Sequence, residues 1–471
     1  MVGPSKEKRN PHAMLALICA AAFIVYLDTS ITPVAVPAIR AEFAAGVTAG
    51  QWLLDSYTLA FACLLLTAGS LGDRFGRKTV LIAGSAGFTL CSVACAAAPS
   101  ATVLIAARAG QGAFAAAVVP LSLAVTSEVF TDPKAKARAI GIWGGIAGIA
   151  VALGPLLGGL LVELAGWRSM FWINLPIGLV AVLGLVRLLP ASARGKAGRV
   201  DVPGQTLFIV ASAALTFALI EGVHLGWTSP VILGLLGLSA VSFLAFGIWE
   251  SRCPEPLLPP RLLRIPAAVV ACVVNFLGLF GLYAVLYLVT VHLQETLGLP
   301  PLATGLRFLA LTGFLGATAF FASAIAARLG NRRTMISGLV CIAVGLAGLT
   351  LLESGGGYAT YGWAFVLIGV GIPLSSGVVA IQAMIGAVPP DLTGTASGTM
   401  NTFRQFGAVF GVALAGILSP QLGNAVTSMH VTFLFASAGA LAGAVVTAIV
   451  LREKRSSEPA AEARPVGAGR S

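Results

Sequence analysis

Four ionisable side chains lie deep inside long apolar segments of the chain: Asp28, Asp55, Arg108 and Arg404. A charge near the centre of a bilayer costs about 2.5–3.5 kcal/mol on insertion scales, so such residues usually serve a function. Burial disfavours the charged form of a carboxylate, and a nearby guanidinium favours it. An Asp–Arg pair that forms and separates can therefore release and take up a proton. The alternative role is a fixed ion pair that only holds helices together.

Counted at 1.5 Å per residue from the outer ends of their segments, Asp28, Asp55 and Arg108 lie at a similar depth, about 8–12 Å below the surface. We expect Arg108 to interact with at least one of the two carboxylates, and all three groups to share a water-filled cavity. Asp28 is the first candidate for proton coupling and Asp55 the second. Arg404 has no acidic residue at the centre of any of the last six apolar segments, so we expect it to bond backbone carbonyls or an anionic part of a substrate.

The composition indicates a membrane protein. The 471 residues are 57% hydrophobic and only 10% charged, whereas soluble domains carry about 25% charged residues. Fourteen apolar segments have the length of about 20 residues that a membrane helix needs. We therefore predict an all-α polytopic membrane protein with fourteen transmembrane helices.

The net charge of +11 reflects topology and does not indicate nucleic-acid binding. If both termini are cytoplasmic, the inside segments hold 24 Lys and Arg residues and the outside segments hold three, which fits the positive-inside rule. We expect a multi-pass protein of the plasma membrane with cytoplasmic termini. Seven cysteines without CxxC spacing indicate neither disulfides nor a metal site.

A short charged turn joins the second and third segments. Its glycines allow a sharp reversal, and its cationic side chains anchor it in water. The residues expected to act together in this turn are Gly72, Asp73, Arg74, Gly76, Arg77 and Lys78.

The charged turn recurs 254 positions later as Arg328-Leu329-Gly330-Asn331-Arg332, with Ala327 in the place of Asp73. This repeat indicates two related six-helix bundles, an arrangement typical of secondary transporters. Because only the first turn keeps its carboxylate, we expect Asp73 to act as a one-sided latch that holds the bundles closed at the cytoplasm. The predicted organisation is an N-terminal tail (1–12), a first bundle (13–190), a linker with two extra helices (191–265), a second bundle (266–451) and a C-terminal tail (452–471).

Several motifs, in order along the chain, resemble those of the major facilitator superfamily, and in particular its 14-helix drug:proton antiporters. The charged turn is similar to that superfamily's signature loop. The other matching stretches are Leu27-Asp28-Thr29-Ser30-Ile31, Arg108-Ala109-Gly110-Gln111-Gly112, Gly154-Pro155-Leu156-Leu157-Gly158-Gly159, Phe171-Trp172-Ile173-Asn174-Leu175-Pro176 and Asn401-Thr402-Phe403-Arg404-Gln405.

The resemblance implies a proton-driven exporter of small amphipathic drugs or antibiotics that works by alternating access. Such an exporter uses the proton gradient and no cofactor. Its partners are small lipophilic substrates and a lipid bilayer, and it is expected to function as a monomer. It also implies a pliable antiporter helix, for which the expected residues are Gly148, Gly154, Pro155, Gly158 and Gly159. The candidate cavity residues are Gln111, Asn174, Arg404 and Gln405.

Other function classes fit the sequence poorly. It shows no Ser/His/Asp set and no metal-ligand spacing, which argues against an enzyme, and no GxxxxGK[ST] loop, which argues against ATP-driven transport. The duplicated bundles disfavour a symmetric channel. The alternative within transport is an exporter dedicated to one secondary metabolite or lipid.

Overall fold

A computed structural model describes residues 10–190, 201–254, 256–352, 357–389, 392–418 and 425–451. The regular elements within these ranges are all helical. The predicted N-terminal tail up to residue 9, the start of the linker (191–200) and the C-terminal tail (452–471) lie outside the described residues.

Six long helices form the first bundle, and two of them begin with a proline, whose missing N–H is tolerated in a first helical turn. They are α1 (Pro11–Glu42), α2 (Val47–Phe75), α3 (Arg77–Ala96), α4 (Ala101–Val129), α5 (Pro133–Ala165) and α6 (Ser169–Leu188).

The two extra helices and the second bundle follow. They are α7 (Val202–Leu225), α8 (Pro230–Arg252), α9 (Pro266–Val291, continued by a π-helical turn His292–Thr296), α10 (Pro301–Leu329), α11 (Asn331–Gly348), α12 (Tyr358–Ile385), α13 (Thr393–Leu418) and α14 (Ala425–Val450).

The number of spans agrees with the prediction of fourteen. Thirteen helices of the described chain are long and apolar enough to cross a membrane. The remaining long helix, α13, has 26 residues, which is also enough to span the hydrocarbon core.

The packing pattern of the first bundle repeats in the second. Helix α2 packs on α4, and α10 on α12; α1 packs on α5, and α9 on α13. The bundles meet through two matching crossings, α2 with α13 and α10 with α5. The extra helices α7 and α8 pack on each other, and α7 also contacts α2 and α13. The fold is therefore two six-helix bundles plus two extra helices, as predicted.

Close backbone approach at the helix crossings depends on glycine. A Cβ atom at Gly112 of α4 would collide with the carbonyl group of Tyr57 on α2, and one at Gly369 of α12 would collide with that of Leu311 on α10. Small residues let membrane helices approach closely. Glycines at equivalent crossings of the two bundles support a duplicated architecture.

The apolar core differs between the two faces of the protein. We call the face at which α1 begins the basic face, because the Lys- and Arg-rich loops lie there, and the opposite one the far face. Toward the far face, one apolar cluster contains residues of both bundles, such as Leu53 and Tyr283. Toward the basic face, the first bundle packs around Phe88 and the second around Met335, in separate clusters. The bundles are thus joined at the far face and apart at the basic face.

Candidate functional site

Asp28 forms a buried ion pair with Arg108, as the sequence led us to expect. Asp28 lies in the middle of α1 and Arg108 on α4, and the Nη1 atom of Arg108 contacts Asp28 Oδ2. The two side chains are only 0–1% exposed. Arg108 Nε also donates to the carbonyl oxygen of Leu53 on α2 at 3.3 Å. The pair therefore ties three helices of the first bundle together.

Polar side chains satisfy the rest of the Asp28 carboxylate. Its Oδ1 atom accepts hydrogen bonds from Gln111 Nε2 at 3.0 Å and from Asn174 Nδ2 at 3.1 Å. Gln111 Oε1 accepts from Arg108 Nη1 at 2.7 Å, and Ser92 Oγ of α3 lies 2.8 Å from Gln111 Nε2. We call these five residues the Asp28 network. Both oxygens of the Asp28 carboxyl thus have hydrogen-bond donors.

An aromatic ring covers the guanidinium. The Cζ atom of Arg108 lies 4.3 Å from the ring centre of Tyr57, which is fully buried. A cation over an aromatic face is attracted by the ring quadrupole. Removing one partner of such a buried pair leaves an uncompensated charge, which costs about 3–5 kcal/mol. The pair can therefore separate only if both groups find new partners or reach water at the same time.

Asp55 lies apart from this network. Its side chain on α2 is fully buried, and neither carboxyl oxygen has a hydrogen-bond partner among the described residues. Asp55 and Asp28 therefore have opposite surroundings, since one carboxyl has several donors and the other has none. The expectation that Asp28, Asp55 and Arg108 share one cavity differs from the structure, which buries all three within the helix packing.

A cavity of about 1090 Å³ lies between the two bundles. Arg404 and Gln405 of α13 line it, together with Tyr26 of α1 and Trp143 of α5. Arg404 takes part in none of the ion pairs of the described residues, so its charge is available to a ligand.

Two other predicted cavity residues lie elsewhere. Gln111 and Asn174 are fully buried and are not among the residues that line the cavity. Their prediction as cavity residues is wrong for this conformation, because their amides turn toward Asp28. They hold the carboxylate instead.

The cavity opens toward the basic face. Its walls include Asp73 and Arg77 of the charged turn, and Asp201 at the start of α7. These residues lie at the ends of helices that meet at the basic face. A solute can thus enter the cavity from the basic side.

The far face is closed by bonds between the bundles. Arg40 Nη1 of α1 pairs with Glu295 Oε1 beyond α9 at 2.6 Å. Gln294 Nε2 donates to the carbonyl oxygen of Val34 at 3.0 Å, and Gln51 Nε2 donates to that of Val412 at 2.9 Å. Together with the shared apolar cluster, these bonds seal the cavity from the far side.

The charged turn between α2 and α3 bonds to other parts of the first bundle. Arg77 pairs with Asp73 at 3.0 Å and with Glu128 of α4 at 2.9 Å. Lys78 Nζ donates to the carbonyl oxygens of Leu189 and Val186.

The other members of the turn shape it. A Cβ atom at Gly72 would collide with Leu121 of α4, and the guanidinium of Arg74 lies 5.4 Å from the ring centre of Phe75. Gly76 has φ = 92°, a conformation that L-residues with a side chain rarely adopt. Gly330 has φ = 83° in the repeated turn. The two turns therefore share this backbone conformation, although the repeated turn lacks the carboxylate. The latch role of this turn stays a prediction.

The glycines of α5 serve two different neighbours. Cβ atoms at Gly154 and Gly158 would collide with Ser30 and Ile31 of α1. A Cβ at Gly159 would collide with the backbone of Pro301 at the start of α10, across the bundle interface. Gly148 has open space beside it and lines the cavity.

Pro155 lies inside α5, and its carbonyl oxygen faces Gly305 of α10. The predicted antiporter helix is therefore a close-packed seam toward α1 and α10 at its far end and a cavity wall at its basic end. Its role as a hinge stays a prediction.

Sequence reasoning missed part of the site. Ser92 and Tyr57 belong to the surroundings of Arg108, but neither forms part of a distinctive pattern. Trp143 carries a weak signal, since its indole is a hydrogen-bond donor inside an apolar helix. The structure gives that donor a partner, Ser122 Oγ, at 3.0 Å.

Comparison with known proteins places this geometry in context. The profile of the Major Facilitator Superfamily matches residues 18–412 and 272–469. The chain is 38% identical over 399 residues to the multidrug resistance protein Stp of Mycobacterium tuberculosis, covering 84% of this chain and 73% of that protein. It is 34% identical to the tetracenomycin C resistance and export protein of Streptomyces glaucescens, covering 87% and 76%. The fold is similar to that of the nucleoside transporter NupG, with a TM-score of 0.65, 12% identity and coverage of 94% and 100%.

Proposed function

The chain belongs to the Major Facilitator Superfamily, and we propose that it exports small amphipathic drugs or antibiotics from the cytoplasm in exchange for protons. The family and the structural neighbours identify a transporter rather than an enzyme. The observation that carries the proposal is the sealed Asp28–Arg108 pair beside a cavity that is open at one face only.

The direction of transport follows from the charge distribution. Membrane proteins keep their Lys- and Arg-rich loops in the cytoplasm, so the basic face is the cytoplasmic one and the conformation is open inward. Both termini are then cytoplasmic, and the membrane is the plasma membrane. In this state the cavity collects substrate from the cytoplasm, and the far-face bonds prevent a leak.

In the proposed cycle Asp28 carries the proton. Arg108, Gln111 and Asn174 present N–H groups to its carboxyl in the inward-open state. A proton arriving from outside, when the far face opens, would neutralise Asp28 and free Arg108 from the pair. The proton gradient supplies the energy, and the transport cycle needs no cofactor.

The cavity supports an amphipathic substrate. Aliphatic and aromatic side chains such as Phe61, Leu282 and Trp143 form much of its wall, and Arg404, Gln405 and Asn401 add polar groups on α13. A solute with an apolar body and a few hydrogen-bonding groups fits such a wall. One chain contains both bundles and the whole cavity, which supports a functional monomer.

A narrower substrate range is the second candidate. One relative is named for the resistance to and export of a single compound, tetracenomycin C, so an exporter dedicated to one secondary metabolite or lipid uses the same architecture. Efflux measured across a panel of drugs separates the two functions, because a dedicated exporter would move one compound and leave the rest.

The test is efflux from cells that lack their major pumps, measured across the panel with and without a protonophore. Asp28→Asn should abolish gradient-driven efflux, because the amide cannot release a proton, while leaving substrate exchange in proteoliposomes without a gradient. The matched control is Asp132→Asn, which keeps a capping group at the start of α5 and should transport normally. Full gradient-dependent efflux by Asp28→Asn at normal expression would contradict the coupling role.

A further inference from the structure

A second cavity lies beside the extra helices, outside the space between the bundles. Its volume is about 520 Å³, and α7, α8, α9, α13 and the segment before α9 line it. Two of its lining residues are accessible at the surface, Phe243 (36% exposed) and Leu263 (47% exposed). Leu66 of α2 lines both this lateral cavity and the central one. The lateral cavity therefore adjoins the central cavity and reaches the periphery of the protein.

Aromatic rings dominate the wall of the lateral cavity. Phe208 of α7 lies at the centre of them, 5.3 Å from the ring of Phe246 and 5.6 Å from that of Phe406. Phe276 and Phe410 form a second pair at 5.7 Å. Such rings attract an organic cation within about 6 Å of their faces.

Polar atoms without partners point to a ligand that is not purely apolar. The hydroxyls of Thr399 and Thr402 on α13 line this cavity, are 1–2% exposed and have no hydrogen-bond partner among the described residues. Glu250 of α8 also lines it, is 3% exposed, and has an unpartnered Oε1 atom. The hydroxyl of Ser212 on α7 is in the same situation. Buried polar groups normally have partners, so four such groups in one cavity are an exception that needs an explanation.

A second carboxyl strengthens the negative charge at this point. Asp201 Oδ2 is likewise buried without a partner, and it and Glu250 Oε1 both lie against Gly204. Their other oxygens are satisfied, since Gly204 N–H and Trp249 Nε1 donate to Asp201 Oδ1, and Leu258 N–H donates to Glu250 Oε2. No Lys or Arg side chain of the described residues pairs with either carboxyl.

Two facing carboxyl groups in a buried position cannot both stay ionised without a cation between them or beside them. In the unliganded protein one shared proton meets this need. The pair then keeps one net negative charge, which an organic cation in the lateral cavity would balance with its charge beside Glu250 and its apolar body among the phenylalanine rings.

We propose that the lateral cavity is a second binding site, which takes a lipophilic aromatic monocation. Its charge is balanced by Glu250 of the lateral cavity together with Asp201, which also lines the central cavity. The proposal rests on the proposed function for the amphipathic character of the ligand, whereas the cationic charge follows from the two carboxyl groups, and it concerns binding at another site. The shared wall at Leu66 makes this site a place where a cation arriving from the membrane is held before it enters the central cavity.

The test measures equilibrium binding of radiolabelled tetraphenylphosphonium to the full chain in lipid nanodiscs. Gly247 of α8 lines the lateral cavity with open space beside it, so Gly247→Phe should fill the cavity and remove one class of site. Gly237 on the same helix also has open space but does not line the cavity, so Gly237→Phe is the matched control and should bind as the wild type does.

A charge-specific arm uses Glu250→Gln and a neutral probe of similar shape, triphenylphosphine oxide. The variant should weaken lateral binding of the cation about tenfold and leave binding of the neutral probe unchanged. Equal affinity for the two probes, with no effect of Glu250→Gln, would show an apolar pocket only and overturn the proposal.

A failure of the lateral binding site can be distinguished from a failure of the proposed export function. Gly148→Phe fills the open side of the central cavity and should leave the lateral sites intact. If the chain does not export cations, lateral binding is still removed by Gly247→Phe and kept in Gly148→Phe. If Gly247→Phe binds as Gly237→Phe does, the lateral site does not exist, whatever the transport assays show.

Discussion

The two ends of the molecule differ in how the bundles meet. At the far face, α1 and α2 contact α9 and α13 through one shared apolar cluster and through bonds such as Gln51 to Val412. At the basic face, each bundle has an apolar cluster of its own and a cavity separates them. Each bundle thus remains packed where the two are apart, which is what rigid-body rocking between two open states requires.

The comparison also shows which contacts must break during transport. The ion pair across the far face, Arg40–Glu295, is partly exposed, so that pair contributes little to the closure. By contrast, the Asp28 network lies inside the first bundle and crosses no interface. A protonation change there is expected to act through the position of α1, which packs on α5 and contacts α9.

Among changes at the two faces, the largest effect should come from blocking closure of the far face at the α5–α10 crossing. Gly159→Leu places a side chain where the backbone of Pro301 now lies, so we expect the bundles to stay apart at the far face and efflux to fall by at least an order of magnitude. Gly141→Leu, on the same helix with open space beside it, is the matched control and should transport normally.

Thiol labelling measures the conformation directly. Val34 is fully buried under Gln294 in this state, so Val34→Cys should be nearly unreactive to a membrane-impermeant reagent. In the double variant Val34→Cys, Gly159→Leu, the new thiol should become exposed and react faster. The labelling rate of the double variant should lie markedly above that of Gly159→Leu with native Val34. An unchanged labelling rate would mean that the α5–α10 crossing does not control the far face.

Sequence reasoning succeeded where one chemical constraint acts alone. The apolar segment lengths fix the fourteen helices, and the cost of a bare charge in the membrane is enough to predict that Arg108 meets a carboxylate. The matched offset of the charged turns indicates the duplication that the packing shows. These features depend on length, polarity and spacing along the chain.

It failed where the direction of a side chain around a helix matters. Asp28 and Asp55 have similar depths, but only Asp28 faces Arg108. Depth follows from counting residues, whereas the facing side depends on how nearly uniform apolar helices pack. The same reason explains why Gln111 and Asn174 were placed in the cavity although their amides turn to Asp28.

An intermediate effect is expected at the far-face ion pair. Arg40→Glu or Glu295→Arg replaces attraction by repulsion across the interface, and since an exposed pair contributes about 0–1 kcal/mol, we expect efflux to fall no more than roughly fivefold. The double exchange restores opposite charges and should recover most of the rate. Initial efflux rates at matched expression are the measurement, and failure of the double variant to recover would show that the pair acts through something other than charge.

The smallest effect is expected at the charged turn of the basic face. Asp73 bonds to Arg77 within the first bundle in this open state, so its loss removes only one exposed bond here, and a latch role would act when the basic face closes. We expect Asp73→Asn to slow efflux about two- to threefold without reducing membrane insertion, in line with the small energies of exposed pairs. The repeated turn offers the matched control, because Ala327 stands at the equivalent position and is exposed, so Ala327→Asn should leave transport unchanged. The measurement is the efflux rate divided by the amount of protein in the membrane. If both variants transport normally, the turn only anchors the topology. The difference between the two ends of the molecule is then controlled at the far face alone.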